Sequence, residues 1–221
     1  MSIVAKLHFF VGCIAVALGF IAMFSKKGTT IHKQSGIIFS GSITLLCLSG
    51  FYLSYSRNLQ FTFLLSALAL YLVFTGFIAV RNRGQDITIL DKIGLVYILL
   101  LTLGCFLLSY LGVKFFWAYP ATEPPYEAYA FIGGWGLLLL IGDVTFVRTV
   151  RPTISTRLKR HLTRMCSAML IATTVFFLGN NHVLPESMRT VPILVTPIIL
   201  VCMFMLIYRL GFQWMNRGLH K

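Results

Sequence analysis

The sequence predicts an all-α integral membrane protein: a seven-helix bundle with its N-terminus outside and its C-terminus in the cytoplasm. Three observations support this prediction. Hydrophobic residues make up 57% of the 221-residue chain and charged residues only 11%, against about 45–50% and about 25% in an ordinary soluble domain. The apolar residues form runs long enough to cross a bilayer. The basic residues are concentrated in alternate connections between those runs.

The apolar runs account for nearly the whole chain. A spanning helix needs about 20 mainly apolar residues to cross roughly 30 Å of hydrocarbon, and it satisfies its own backbone hydrogen bonds in lipid. Seven stretches qualify, at about residues 7–24, 35–56, 60–80, 93–113, 128–149, 161–179 and 191–212. We therefore expect residues 1–221 to form a single transmembrane bundle. The 60–80 run has no acidic, basic or histidine residue, which predicts a lipid-facing or scaffolding helix.

The distribution of Lys and Arg predicts the orientation. Of these 19 residues, 15 lie in or beside the connections after the first, third and fifth runs or in the stretch at the end of the seventh, and the others are Lys6, Arg57, Lys114 and Arg189. Short cytoplasmic loops carry an excess of basic residues. We therefore interpret the net charge of +13 as a topology signal with some attraction to anionic lipid heads. It does not indicate a nucleic-acid partner. The expected partner is the lipid bilayer, and the expected location is the cytoplasmic (inner) membrane.

Asp143 is the only carboxylate well inside a predicted span. An ionisable residue within the membrane faces the bundle interior or a polar cavity, and it is a candidate functional residue. Asp143 lies near the cytoplasmic end of the fifth run, where Arg148 or a basic residue on another helix would neutralise it. We therefore expect Asp143 to form an ion pair.

Four of the five histidines fall into two layers. His8 opens the first run and His182 follows the sixth, both on the outer side. His32 opens the second run and His161 opens the sixth, both on the inner side. At about 1.5 Å of rise per residue, each of the intervals 8–32 and 161–182 is about one membrane thickness. The sequence thus predicts an outer pair, His8 and His182, and an inner pair, His32 and His161.

Stacked histidine pairs on bundle helices are typical of transmembrane proteins that bind haem b. Each haem iron takes axial imidazoles from different helices, and small residues one turn away let the flat macrocycle approach the backbone. Gly12 and Gly36 follow His8 and His32 by four residues, on the same helix face. This pattern favours haem b ligation by His8, His182, His32 and His161. Such a protein would carry electrons across the membrane, with a quinone as a partner.

Three alternatives remain open from the sequence. The histidines are purely structural in the first of them. In the second, an outer-face metal-dependent site uses nitrogen and oxygen ligands of the type zinc accepts, drawn from His8, His182, Glu123, Glu127 and Glu186. In the third, the protein is a small-solute carrier or channel. It would use Asp143, the inner basic cluster at 157–161 and a helix kink at Pro197.

Two segments resemble a known family. The first contains His8, Gly12 and Gly19, then a basic turn, then His32-Lys33-x-x-Gly36; the second is Lys159-Arg160-His161-Leu162-Thr163-Arg164-Met165. They resemble an uncharacterised family of predicted bacterial multi-pass membrane proteins, whose first hairpin reads His…Gly…His-Arg-x-x-Gly before an aromatic residue. Phe39 takes the place of that aromatic, and Lys33 replaces the usual Arg. The resemblance implies that His8, His32 and His161 matter, but it implies no reaction. A weaker likeness to transmembrane b-type cytochromes depends on the histidine layers alone.

Overall fold

The computed structural model describes residues 2–81, 86–115, 124–179 and 183–218, with no side chain described for Met188 or for 212–218. This part of the chain is all-helical. Its seven long helices are α1 (Ile3–Phe24), α2 (Thr30–Arg57), α3 (Gln60–Arg81), α4 (Ile89–Lys114), α5 (Glu127–Arg148), α6 (Ile154–Thr174) and α7 (Val191–Gly218). Each is long and apolar enough to cross a membrane, α6 with the π-helical turn Val175–Gly179 that extends it. The predicted all-α architecture and number of spans are confirmed.

The first hairpin turns through a short polar connection. Gly28 adopts φ +83° there, a left-handed conformation that glycine reaches without a steric penalty. The side chain of Thr29 then caps α2 by accepting the backbone N–H of His32, because the first N–H groups of a helix have no partner within it. At the other end of α2, Asn58 stops the helix in a left-handed conformation at φ 55°.

The sixth helix begins earlier than its hydropathy predicts. The apolar run starts at about residue 161, but α6 begins at Ile154, where the Thr153 side chain caps it by accepting the N–H of Thr156. The residues between these two starts include several basic side chains, which lower the local hydropathy and are typical of a connection. The prediction that His161 opens the helix is therefore wrong, since it lies seven residues inside α6.

Helix α3 lies at the centre of the bundle. It packs against α2, α4 and α6 and also touches α5. Its Leu68 and Leu72 side chains are completely buried. Of the two roles predicted for residues 60–80, the scaffolding role is confirmed and the lipid-facing role is wrong. Burial on several sides explains why this helix needs no charged side chain within the membrane.

Helices α5 and α6 are held by different neighbours. Helix α5 packs mainly against α4, whereas α6 packs against α3 and α7. Within the described residues, these two helices make little direct backbone contact, and polar side chains bridge the space between them. The bridge lies towards the end of the bundle that carries connections 25–29, 86–88 and 149–153. We call this end the basic end.

Candidate functional site

His8 lies on α1, away from the basic end, and is half-buried. Its Nδ1 is 2.7 Å from the Ser49 hydroxyl oxygen, and that hydroxyl donates its own hydrogen to Leu45 O at 2.8 Å. With the Ser49 proton donated to Leu45 O, the serine oxygen is left to accept the His8 Nδ1–H. In this tautomer the neutral ring has its lone pair on Nε2. The predicted outer partner, His182, lies outside the described residues.

His32 and His161 both lie at the basic end, and they share one hydrogen-bonding pattern. Nδ1 of His32 is 2.9 Å from Ala22 O, and Nδ1 of His161 is 2.8 Å from Gly76 O. A carbonyl oxygen only accepts, so each ring donates through Nδ1–H and keeps a lone pair on Nε2. The structure therefore places both members of the predicted inner pair at the same end of the bundle, on different helices.

The glycines predicted to flank a cofactor have different surroundings. A Cβ on Gly12 would lie 3.7 Å from the Phe176 ring, whereas a Cβ on Gly36 would meet nothing within 4 Å. The Phe176 ring itself stacks on Phe9 with centroids 5.4 Å apart. Protein side chains thus fill the space beside Gly12, while the space beside Gly36 is open.

Lys27 closes the connection beside the basic-end histidines. Its Nζ donates to Ala22 O at 3.0 Å and Met23 O at 2.5 Å, which satisfies carbonyls at the end of α1. The same ammonium lies 4.9 Å from the centre of the Phe204 ring on α7. Partial burial lowers the pKa of Lys27 from its ordinary value. It also interacts electrostatically with His161. Lys27 thus adds a positive charge near the two histidines of the basic end.

A second group of ionisable side chains lies between α4, α5 and α6. We call it the arginine–aspartate cluster, and its members are Asp91, Asp143, Arg157, Arg160 and Arg164. All five are less than a tenth exposed. Of these five residues, the sequence predicted an ion pair within the membrane only for Asp143. The other four lie in stretches predicted to be inner connections or helix ends, where ionised side chains would be solvated.

Asp143 is the centre of the cluster and is completely buried. Its Oδ1 accepts from Arg164 Nη2 at 2.5 Å and from Arg160 Nη2 at 3.1 Å, and its Oδ2 accepts from the Tyr71 hydroxyl. The expected ion pair is therefore present, with basic residues on another helix as the partners. Charge-assisted hydrogen bonds of this kind are about twice as strong as neutral ones. They tie α5 to α6 and, through Tyr71, to α3.

Asp91 provides the second carboxylate. Its Oδ1 accepts from Arg160 Nη1 at 2.6 Å, and its Oδ2 accepts from the Thr88 backbone N–H at 3.1 Å and hydroxyl at 2.8 Å. Thr88 and Asp91 form a capping box, which supplies partners for orphan groups at a helix N-terminus. The same side chain thus starts α4 and binds an arginine of α6.

The three arginines have more donors than the carboxylates use. Arg157 donates from Nη2 to Asp86 O at 2.7 Å, and the Arg160 guanidinium stacks on the Phe146 ring at 4.2 Å. Four of their buried nitrogens have no hydrogen-bond partner among the described residues: Arg157 Nε and Nη1, Arg160 Nε and Arg164 Nη1. Buried polar groups are normally paired, so the cluster retains unused donor capacity.

A sequence signal could have revealed these arginines. Positions 157, 160 and 164 follow an i, i+3, i+7 spacing, which places all three on one face of a helix. This signal needs the helix to start before residue 157, and local hydropathy does not predict that start. Asp91 was missed for the same reason, because α4 begins at Ile89 and its predicted span begins at about 93.

An open cleft lies beside the cluster, between α5 and α6. Its volume is about 290 Å³, and its walls include Asp143, Arg160 and Arg164. Lys159 and several threonines complete the polar part, and Leu138 and Leu139 lie on the α5 side. The cleft therefore lies alongside the Arg160 and Arg164 side chains, whose unpartnered nitrogens are themselves buried.

The residues proposed for an outer metal site are not assembled in the described part of the chain. Glu127 and Glu186 are exposed, and Glu123 and His182 lie outside the described residues. Within the described ranges, no group of three or more His, Cys, Asp or Glu side chains is placed to hold a metal ion. His32 and His161 at the basic end are only two side chains, so they do not count as such a group.

No family model matches this sequence, and no curated protein or solved structure matches it.

Proposed function

We propose that this multi-pass membrane protein binds haem b through its histidines and supports electron transfer across the bilayer. The observation that favours this function most is the hydrogen-bonding state of His8, His32 and His161. Each donates through Nδ1–H, to a serine oxygen or to a backbone carbonyl, and each keeps its Nε2 lone pair. Metal-ligating histidines almost always make such a second hydrogen bond, which fixes the tautomer and raises the basicity of the ligating nitrogen.

The basic-end pair fits the donor chemistry of a haem iron better than the outer layer does. His32 comes from α2 and His161 from α6, so two imidazoles lie at the same end of the bundle on different helices. Space beside Gly36 is open, whereas Phe176 fills the space beside Gly12. The proposal therefore depends first on His32 and His161. Ligation at the outer layer by His8 and His182 is its second part.

A bound haem would supply a one-electron couple, and a membrane quinone would be the natural partner for it. The chain itself would hold the imidazoles in fixed tautomers and keep them apart from bulk water. Lys27 adds a positive charge near His161. This charge would favour the reduced state of a redox group bound there. We place the N-terminus outside and the C-terminus in the cytoplasm of a bacterial cell, because 15 of the 19 basic residues lie in or beside the connections after α1, α3 and α5 or in the last part of the chain.

An absorption spectrum of the full chain, expressed with sufficient haem and purified in detergent, tests the function directly. We expect a Soret band that shifts on reduction. We expect His32→Ala and His161→Ala to lower the haem-to-protein ratio strongly, because each removes one axial imidazole. His220→Ala is the matched control, since this histidine adjoins the C-terminus and belongs to neither layer; its ratio should equal that of the wild type.

Two results would contradict the proposal. One is the absence of a Soret band from protein that is folded and monodisperse. The other is a haem-to-protein ratio that stays the same in His32→Ala, His161→Ala and the control. Loss of haem only in His8→Ala and His182→Ala would move the site to the outer layer.

A further inference from the structure

We propose that the cleft between α5 and α6 binds a phosphate group that enters from the basic end. The proposal does not depend on haem binding, because its residues are separate from the histidines. The cleft combines an open volume of about 290 Å³, an excess of positive charge and unused hydrogen-bond donors beside it. Ligand pockets usually span about 300–1,000 Å³, so this one suits a small group.

The walls of the cleft carry an excess of positive charge. Lys159, Arg160 and Arg164 line it together with one carboxylate, Asp143, while Arg157 and Asp91 belong to the adjoining arginine–aspartate cluster. Both carboxylates are already hydrogen-bonded to the arginines. An entering anion would therefore meet guanidinium groups that Asp143 and Asp91 hold in place, and it would not be repelled by a free carboxylate.

The donors favour an oxyanion over a halide. Arg160 and Arg164 line the cleft, and each has one nitrogen without a partner in the described structure. Guanidinium groups present N–H donors in a fixed plane, which matches the oxygens of a phosphate. Because these two side chains are less than a tenth exposed, an anion here would be less screened by water than one on the surface.

The two walls of the cleft differ in chemistry. On α6, the Lys159 ammonium and the Thr163 hydroxyl provide further donors. On α5, the Thr145 and Thr149 hydroxyls already donate to carbonyls of their own helix, and Leu138 is 71% exposed. One donor wall facing one mainly apolar wall suits a phosphate that carries an organic group.

Two sources could supply this phosphate: a lipid headgroup or a soluble phosphate. Basic pockets between spanning helices on the cytoplasmic side are known to bind phospholipid headgroups. The same arginines would bind inorganic phosphate or a small phosphoester from solution. The chemistry is shared, so the test must separate the sources.

The test uses the full chain, purified in detergent and stripped of lipid. Binding of radiolabelled inorganic phosphate and of glycerol phosphate is measured by equilibrium dialysis. Binding of phosphatidylglycerol is measured by native mass spectrometry, with phosphatidylcholine as the zwitterionic comparison. Lys159→Gln and Thr163→Ala remove wall donors, while Lys92→Gln removes an exposed lysine at the same end of the bundle. All three variants must have the same thermal unfolding midpoint as the wild type, so that a change in binding does not reflect a loss of fold.

We expect at least one of the phosphate-bearing compounds to bind saturably. Lys159→Gln should weaken this binding about tenfold, because a hydrogen bond to a charged group is lost, and Lys92→Gln should leave it within about twofold of wild type. Binding of free phosphate or glycerol phosphate identifies a soluble ligand, and preference for phosphatidylglycerol alone identifies a lipid headgroup. No saturable binding of any of these compounds overturns the proposal. Equal weakening by Lys159→Gln and Lys92→Gln overturns it too, since that would reflect surface charge.

Discussion

At the scale of single residues, Asp143 shows why buried charges in this bundle come in groups. An isolated carboxylate at zero exposure would lose several kcal/mol of hydration. Arg160, Arg164 and Tyr71 replace that hydration with three hydrogen bonds. Buried ion pairs contribute little net stability compared with apolar packing. Removing Asp143, however, would leave Arg160 and Arg164 buried without a compensating charge there.

We therefore expect Asp143→Asn to lower the free energy of unfolding by about 3 kcal/mol. The amide keeps the shape of the side chain but leaves Arg164 without a charged acceptor there. The measurement is denaturant-induced unfolding of the full chain in mixed micelles. Asp86→Asn is the control, because Asp86 is exposed and binds Arg157 only through its backbone carbonyl; it should change stability by less than about 0.5 kcal/mol. Equal stability of the two variants would contradict a central role for Asp143.

At the scale of helices, the contact between α3 and α6 positions both candidate sites. Gly76 on α3 lets α6 approach closely, and its carbonyl accepts the His161 Nδ1–H at 2.8 Å. A Cβ at this position would lie 2.9 Å from Arg164 Cβ, closer than packed carbons normally come. Small residues at helix contacts serve this purpose in membranes. One glycine thus sets the distance at which a histidine and an arginine of α6 meet the rest of the bundle.

Gly76→Ala should push α6 away from α3. We expect it to destabilise the protein by about 1–3 kcal/mol, as overpacking of a well-filled contact usually does. Gly104→Ala is the matched control, because a Cβ there meets nothing within 4 Å, and alanine is the better helix former by about 1 kcal/mol. Unfolding in mixed micelles compares the two. A Gly76→Ala protein as stable as the Gly104→Ala protein would show that α3 and α6 do not pack as closely as described.

At the scale of the whole molecule, the positive charge is concentrated at one end of the bundle. Of the 19 Lys and Arg residues, 15 lie in the connections after α1, α3 and α5, in the adjoining parts of the helices, or in the last part of the chain from Arg209 on. Three of these residues, Arg157, Arg160 and Arg164, are buried in the cluster and do not lie free at the surface. The remaining basic side chains still outnumber those at the opposite end, so the proposed orientation does not depend on the buried arginines.

Reporter fusions test this orientation in a bacterial host. We expect alkaline phosphatase fused after Lys221 to be inactive, because it would remain in the cytoplasm, and a fluorescent protein at the same position to fluoresce. Phosphatase fused after Leu59, which follows two spans, should be active on the outer side. An active phosphatase after Lys221 together with an inactive one after Leu59 would reverse the orientation.

Hydropathy by itself determined the class of protein and the number of spans. Long apolar runs leave few alternatives in a membrane, because only a helix satisfies its backbone hydrogen bonds there without a neighbour. Helix ends were predicted less well where ionised side chains continue a helix. The starts of α4 and α6, at Ile89 and Ile154, fall in stretches that resemble loops by composition alone.

Tertiary structure alone determined which polar groups meet. The sequence predicted an ion pair for Asp143, but its partners, Arg160 and Arg164, come from another helix and are selected by packing against α3. The same packing brings Asp91 to Arg160 across 69 positions of the chain. It also brings His161 to a carbonyl of α3, which fixes a tautomer that sequence cannot specify. The physical reason is that periodicity assigns a residue to a helix face, whereas the neighbouring helix and the depth of contact determine what that face meets.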